Sequence, residues 1–494
     1  MKYTKILPKN NSFHVAFVIF IFHFIFIDYS LVNDEYIFVA GSKFINTFEK
    51  KIIDIFFSYN SNTLGFSLII SIFNYFFFLF DPQYIAKLLT YSGIIFLYFG
   101  LKKFVKYFNL NENKFYYFYL LVIFNPIVWT YTFRGIPDFL SFSLSYFSIF
   151  SFLNNKKKII NFFYISIFAI SIILKPLNGI LLLFIFYDIL IKKNYRNFIY
   201  VLFLIFLIFI YFFTQFKIFN FVLIPPSHSS TFEVNFSNFL SSMIAYIGFS
   251  FLFISLLFTN YIISKIRNLK NLLYILTLLI VSFFISDNLI LFIGELNFGF
   301  LQKIIDIKFY KSILFFSFLI FISIIFWERN KLDKILVVML IIYFSFIFIM
   351  SLTHIAQRYL MIIIPLLFVV GFQLDSNIYE KKYLIILSIF LNIIAFGNYY
   401  NNNKLIKETV NFLYKNDLLN VTSPGYIGQH SLDKFTSFYE KRENEIVILT
   451  KNEIFKKKIY DISTSNPKNF KIVFKKNSNY LGFINKSIYV LKIK

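Results

Sequence analysis

A chain of 494 residues that is 58% hydrophobic, with 76 Phe and 35 Tyr, exceeds the roughly half apolar content of a soluble domain and reads as a membrane protein. Its formal charge of +24, from 49 Lys+Arg against 25 Asp+Glu, falls in short links between apolar runs rather than in a basic, aromatic-interleaved module. That placement excludes nucleic acid as a partner. Cysteine is absent, which excludes disulfides and thiolate metal sites.

In chain order, the basic start Met1–Asn11 runs into an apolar stretch with no small-residue cleavage site, as a retained first span does. Segments near the roughly 20 apolar residues that a crossing needs are Phe13–Ile27, Tyr84–Leu101, Phe115–Phe133, Phe139–Leu153, Ile159–Leu174, Leu177–Ile191 and Phe198–Phe213. Ser241–Phe258, Leu272–Ile285, Ser312–Trp327, Ile335–Ser351, Tyr359–Gln373 and Tyr383–Gly397 follow. With the N-terminus inside, the clusters at Lys102/Lys103/Lys106, Lys156–Lys158, Lys192/Lys193/Arg196, Lys265/Arg267/Lys270, Arg329/Lys331/Lys334 and Lys381/Lys382 all fall on the inner face, as the positive-inside rule requires. The expectation is a mainly α, polytopic transmembrane helical bundle of about 13 spans.

That count requires Leu64–Phe80 not to cross, so it is read as an amphipathic or re-entrant helix at the outer interface. Outer segments are then expected from Asp28 to Pro82, from Phe216 to Leu240 with Pro225-Pro226 and His228, and from Asp287 to Lys311. After Asn398 the pattern changes to a helix at Lys404–Lys415 and β-type runs at Ile446–Leu449, Phe470–Phe474 and Ser487–Ile493. The expected organisation is a transmembrane catalytic domain over 1–400 and a small extracytoplasmic α/β domain over 401–494.

Ionisable residues inside or at the edge of a membrane are functional candidates by default. Asp34 and Glu35 are adjacent, so on a helix they point about 100° apart and only one faces a given cleft. Either they are helix N-terminal carboxylates in a solvated loop, or one is a general base for an acceptor hydroxyl. Arg134 and Asp138 share a tight turn after Asn125-Pro126. They form a salt-bridged hairpin, or Asp138 orients an acceptor while Arg134 attracts a lipid phosphate. Lys175, before Pro176, either snorkels or faces a phosphate leaving group. Arg358 beside Tyr359 is an interfacial anchor or a bidentate phosphate ligand, which Lys cannot be. His14, His23, His228 and His430 lack ligand-like spacing, so no metal site is expected. Walker A, GxGxxG and GxSxG patterns are absent.

The order of these parts resembles the GT-C superfamily of polytopic glycosyltransferases, and within it the branch of protein mannosyltransferases and lipid A aminoarabinose transferases. Asn33-Asp34-Glu35-Tyr36 is similar to that branch's Asp-Glu motif in the first outer loop. Asn62-Thr63-Leu64-Gly65-Phe66 stands where the branch has a Pro-Pro-Leu segment and interfacial helix. Arg134-Gly135 with Asp138 resembles the second-loop aspartate and the Arg-Gly-x-x-Asp of glycolipid-anchor mannosyltransferases. Leu174-Lys175-Pro176-Leu177 is similar to a Thr-Lys-Gly-Pro element, and Gln357-Arg358-Tyr359 with Pro365 to an Arg-Tyr segment ending in proline. Gln429-His430-Ser431-Leu432, Phe438-Tyr439 and Ile446–Leu449 look like the outer domain. The Pro-Pro pair is missing, and Pro176 stands in place of Gly.

The resemblance implies transfer of a sugar, with inversion, from a polyprenyl-phosphate donor to a glycan, lipid or protein hydroxyl at the outer face of a bilayer. Asp34 and Glu35 supply the carboxylate motif with Asp34 as base, Asp138 assists, and Arg358, Lys175, Arg134 and Tyr359 bind the donor phosphate. No cofactor and no catalytic metal are implied. The location expected is a bacterial inner membrane, with the site on the periplasmic side. The alternatives are a lipid-linked glycan flippase or transporter, disfavoured by the missing internal repeat, and a glycan polymerase or ligase.

Overall fold

The computed structural model describes residues 12–28, 34–47, 64–109, 115–219, 222, 236, 238–255, 258–288, 307–331, 333–353, 357–374, 382–416, 421–422, 460–463, 471–480 and 484–492. Most of them are helical. Among the described residues, four helices are long and apolar enough to cross a membrane: Pro82–Tyr107, Tyr195–Ile218, Ile307–Trp327 and Lys334–Thr353. A fifth is added if Pro126–Thr132 and Pro137–Asn154, bent by 113°, count as one broken span. At 1.5 Å per residue, about 20 residues match a hydrocarbon core of about 30 Å. Others of the expected spans are helices of 10–17 residues, among them Phe13–Phe26, Lys158–Leu174, Leu269–Ile285 and Arg358–Phe372.

One expected span, Phe115–Phe133, is two helices. Phe115–Ile123 ends before Asn125, whose side-chain oxygen accepts from the Ile127 backbone N–H at 3.0 Å and caps a new helix, Pro126–Thr132. Pro126, at the first helical position, has no N–H to continue the earlier ladder. The segment Leu64–Phe76 is a helix of 13 residues, about 20 Å long and shorter than a crossing requires.

The described chain clusters into two compact units. The first comprises residues 1–24, 89–133 and 137–392. Its helices approach closely where side chains are smallest. A Cβ at Gly100 would stand 2.5 Å from the backbone N of Phe147, and one at Gly248 would stand 2.1 Å from the carbonyl of Leu314. Between helices, the Tyr146 hydroxyl donates to the Ile362 carbonyl at 2.8 Å, and Ser250 and Tyr343 share a hydroxyl bond of 2.7 Å. His23 is wholly buried, stacked on Phe133 with ring centroids 4.1 Å apart and bonded to Thr132. It acts as a packing residue there.

The second unit comprises residues 25–88, 134–136 and 393–494. In it, helix Leu64–Phe76 packs on Asp34–Thr47. Ser67 donates to the Phe38 carbonyl at 2.9 Å, and Ser71 bonds the Asn46 amide oxygen. Its far side exposes Ile72, Phe73, Tyr75 and Phe76, and Phe77 to Phe80 continue the exposed apolar run.

The helix expected at Lys404–Lys415 is the end of a 34-residue helix, Lys382–Lys415. The expected span ends at Gly397 and the pattern changes after Asn398, but an interior Gly costs a helix only about 1 kcal/mol and does not end it. Four strands form a sheet of order β1-β2-β4-β3. These are β1 (Val421–Thr422), β2 (Tyr460–Ser463), β3 (Lys471–Tyr480) and β4 (Ile484–Lys492). β3 and β4 pair antiparallel, with an irregularity between Ile472 and Phe474, where the runs Phe470–Phe474 and Ser487–Ile493 were expected. Phe474 stacks on Phe412 with centroids 4.3 Å apart, and Lys476 pairs with Glu408 at 2.8 Å. The run Ile446–Leu449, the motif Gln429–Leu432, the pair Asn62-Thr63 and His228 lie outside the described residues.

Candidate active site

In the first unit, three segments distant in sequence bring their charged residues to one point. Pro137 opens helix Pro137–Asn154 and puts Asp138 in its first turn, where the helix dipole favours an anion. Lys175 ends helix Lys158–Leu174. As the residue before Pro176 it is excluded from the α region, and it adopts φ −149°, ψ 101°. The ladder breaks there, and the cation sits at the negative end of that helix. Arg358 and Tyr359 lie on the 3-10 helix Gln357–Ile363.

Lys175 Nζ is 3.1 Å from Asp138 Oδ1, and Arg358 Nε is 3.4 Å from the same oxygen. Lys175 also donates to the Tyr359 hydroxyl at 3.1 Å and lies 4.6 Å from that ring's centroid. The Arg358 guanidinium is 5.5 Å from the same centroid. Side-chain exposure is 2% for Asp138, 13% for Lys175 and 17% for Arg358, so the charges interact where water screens them poorly. Ser141, Asn178 and Met361 complete the lining of a cavity of ≈ 10 Å³, close to the least that holds one water.

Burial by itself would lower the Lys175 ammonium. The Asp138 carboxylate, with Tyr359, outweighs it and holds the pKa above the ordinary lysine value, against the opposing effect of Arg358. A raised folded-state value means the pair contributes fully below about pH 10.5, and its contribution is lost as pH climbs through that raised value. In an Asp138→Asn variant the carboxylate is gone while burial remains. Lys175 then falls below its ordinary value, and its effect on stability reverses sign, rising with pH up to about 10.5. The expected result is a difference between the two melting-temperature profiles, measured from pH 7 to 11, that narrows as pH rises. Parallel profiles would show that Asp138 does not control this lysine.

The second unit holds another charged group. Glu35 is wholly buried in the first turn of helix Asp34–Thr47, and its Oε1 accepts from Arg134 Nε at 2.9 Å. Lys87, 1% exposed, donates to the carbonyls of Ile27 at 2.7 Å and Phe26 at 3.4 Å. An ammonium on the last carbonyls of the helical segment ending at Phe26 satisfies acceptors that have no intrahelical partner. Asp34 opens its helix, and its side chain lies outside the described residues.

Of the residues singled out from sequence, Asp138, Lys175, Arg358 and Tyr359 therefore form one group. Glu35 and Arg134 form an ion pair in the second unit. Sequence reading overlooked Lys87, although a lysine inside the apolar run Tyr84–Leu101 is the signal that should have found it. It also overlooked Ser141 and Asn178, which carry no such signal because serine and asparagine recur throughout the apolar helices. No family model, no curated protein and no solved structure matches the chain.

Proposed function

We infer that the chain is a membrane glycosyltransferase that moves a sugar from a polyprenyl-phosphate donor to an acceptor hydroxyl, inverting the anomeric carbon. The observation that carries this reading is the convergence of Lys175 and Arg358 on the mostly buried Asp138, with the Tyr359 hydroxyl bonded to Lys175. Polyprenyl phosphate is already a good leaving group, so a protein needs chiefly to position two substrates and stabilise developing phosphate charge. A lysine and an arginine held at one point in a poorly screened setting have the chemistry for that task.

In the proposed reaction the acceptor oxygen forms a bond to the anomeric carbon as the bond from that carbon to the phosphate oxygen breaks. The electron pair leaves with the phosphate, which Lys175 and Arg358 neutralise. The acceptor proton goes to a carboxylate, for which Asp34 is the candidate and Asp138 the assisting group. The ion pair with Arg134 gives Glu35 a structural part in holding the helix that Asp34 opens.

This reading includes the finer architecture expected from sequence. About 13 crossings would need the shorter apolar helices to cross as well, and Leu64–Phe76 would lie at the outer interface. The tail would face outward, as a domain of its own, from a bacterial inner membrane. The exposed run Tyr75 to Phe80 supports the interfacial placement, since such side chains bury in the headgroup boundary.

Replacing Asp34 by Asn tests the chemistry. Transfer from a radiolabelled polyprenyl-phosphate sugar is expected to fall by at least about 10²-fold, the lower range for loss of general base catalysis, with an unchanged melting temperature. Turnover at the wild-type rate would remove Asp34 as the base.

A further inference from the structure

We propose that the cleft between helices Leu269–Ile285 and Ile307–Trp327 binds one anionic phospholipid of the surrounding bilayer. The proposal rests on the apolar helices and on local charge, and is independent of the glycosyltransferase reading. Where the C-terminal half of the first helix meets the N-terminal half of the second, they border a space of ≈ 280 Å³. Leu279, Phe283, Phe284, Phe309, Ile313 and Phe316 form its walls.

The two serines on the walls have their hydroxyl protons engaged within the helices. Ser282 donates to the Leu279 carbonyl at 2.7 Å, and Ser312 donates to the Lys308 carbonyl at 2.9 Å while bonded to Ser286 at 2.8 Å. A space lined this way suits hydrocarbon rather than water or sugar.

Charge at one end selects the head group. Lys308 and Lys311 are three residues apart, hence neighbours on one helix face, and Asp287 gathers both. Lys308 Nζ lies 2.9 Å from the Asp287 carboxylate, and Lys311 donates to the Asp287 carbonyl at 3.1 Å. Among the described residues at that end, these three charges sum to +1. Lys308 also sits 5.1 Å from the ring centroid of Phe283, itself a wall of the cleft, so the cationic end and the hydrocarbon space share a side chain. An amphiphile with an acyl chain and a head of net negative charge matches both parts, whereas in a zwitterionic lipid the head's own cation offsets the phosphate and only the cleft is matched. The lining runs from Leu279 to Phe284 on one helix and from Phe309 to Phe316 on the other, about 8 to 10 Å along the axes. That depth takes part of an acyl chain, which favours a glycerophospholipid over a long polyprenyl chain.

The test uses full-length protein, delipidated in detergent and titrated with dioleoyl phosphatidylglycerol or dioleoyl phosphatidylcholine. Retained lipid per chain is read by mass spectrometry alongside melting temperature. Wild-type protein should retain phosphatidylglycerol about tenfold more tightly, given the attraction of each lysine for an anionic head. Lys308→Gln with Lys311→Gln should erase that preference, and Ile313→Trp, which fills the cleft, should reduce retention of both lipids. If Ile313→Trp does not fold, the surface lysine variant decides alone. Equal retention of the two lipids by wild type, or an undiminished preference in the lysine variant, overturns the proposal. Displacement of bound phosphatidylglycerol by an equimolar polyprenyl phosphate would overturn it too, assigning the cleft to that chain instead.

Discussion

An Arg358→Gln variant should lose about 10²- to 10³-fold in kcat/KM for transfer from a polyprenyl-phosphate sugar, the range seen when one preorganised donor to a developing anion is removed. The loss should appear chiefly in kcat, because the guanidinium meets more negative charge as the phosphate leaves than it does in the bound donor. Stability should change little. Asp138 keeps Lys175 at 3.1 Å, so removing Arg358 does not strand the buried carboxylate, the situation that makes breaking an ion pair costly. Arg358→Lys should recover only part of the activity, since an ammonium cannot make the two parallel contacts of a guanidinium. Initial rates over a range of donor concentrations, with a thermal melt of each variant, check this. Wild-type kinetics in Arg358→Gln would end the role given to that residue.

Gly248→Val should damage the fold severely. Its Cβ would lie 2.1 Å from the Leu314 carbonyl oxygen and 2.8 Å from the carbonyl carbon. Both are backbone atoms, so no side-chain rotation relieves the overlap. Helices Phe239–Ser255 and Ile307–Trp327 would have to separate, giving up close contacts along their shared face. A cost of about 3 kcal/mol or more is expected, seen as a lowered melting temperature in detergent or as failure to accumulate in the membrane. Gly179→Ala is the matched control, because nothing stands within 4 Å of a Cβ there. It should stay within about 0.5 kcal/mol of wild type. Equal melting temperatures for Gly248→Val and wild type would mean the two helices do not cross as described.

The charged group around Asp138 was legible in sequence because each member interrupts or ends an apolar run. A lysine before a proline, an acid after one, and an arginine beside a tyrosine are local anomalies, and anomalies in a biased composition survive the bias. Their mutual distances were not legible, since they depend on how close the segments ending at Lys175 and carrying Asp138 and Arg358 come, and close approach is felt only against a partner, as at Gly100 against Phe147. Span edges were poorly legible for another reason. Counting apolar residues passes straight through Asn125-Pro126, although capping and a missing N–H end the helix there. The same counting stopped at Gly397, which the helix crosses. The strands near Lys471 and Ile484 were found from alternation and turn residues, which act within the strands themselves.

The smallness of the cavity beside Asp138 has a consequence for affinity. At ≈ 10 Å³ the space between the charged side chains holds about one water, so a sugar phosphate that engages Lys175 and Arg358 must first separate them from Asp138. Measured dissociation constants would then be weakened by the reciprocal of the open population. Substitutions that pry the site ajar would tighten binding without touching the ligand.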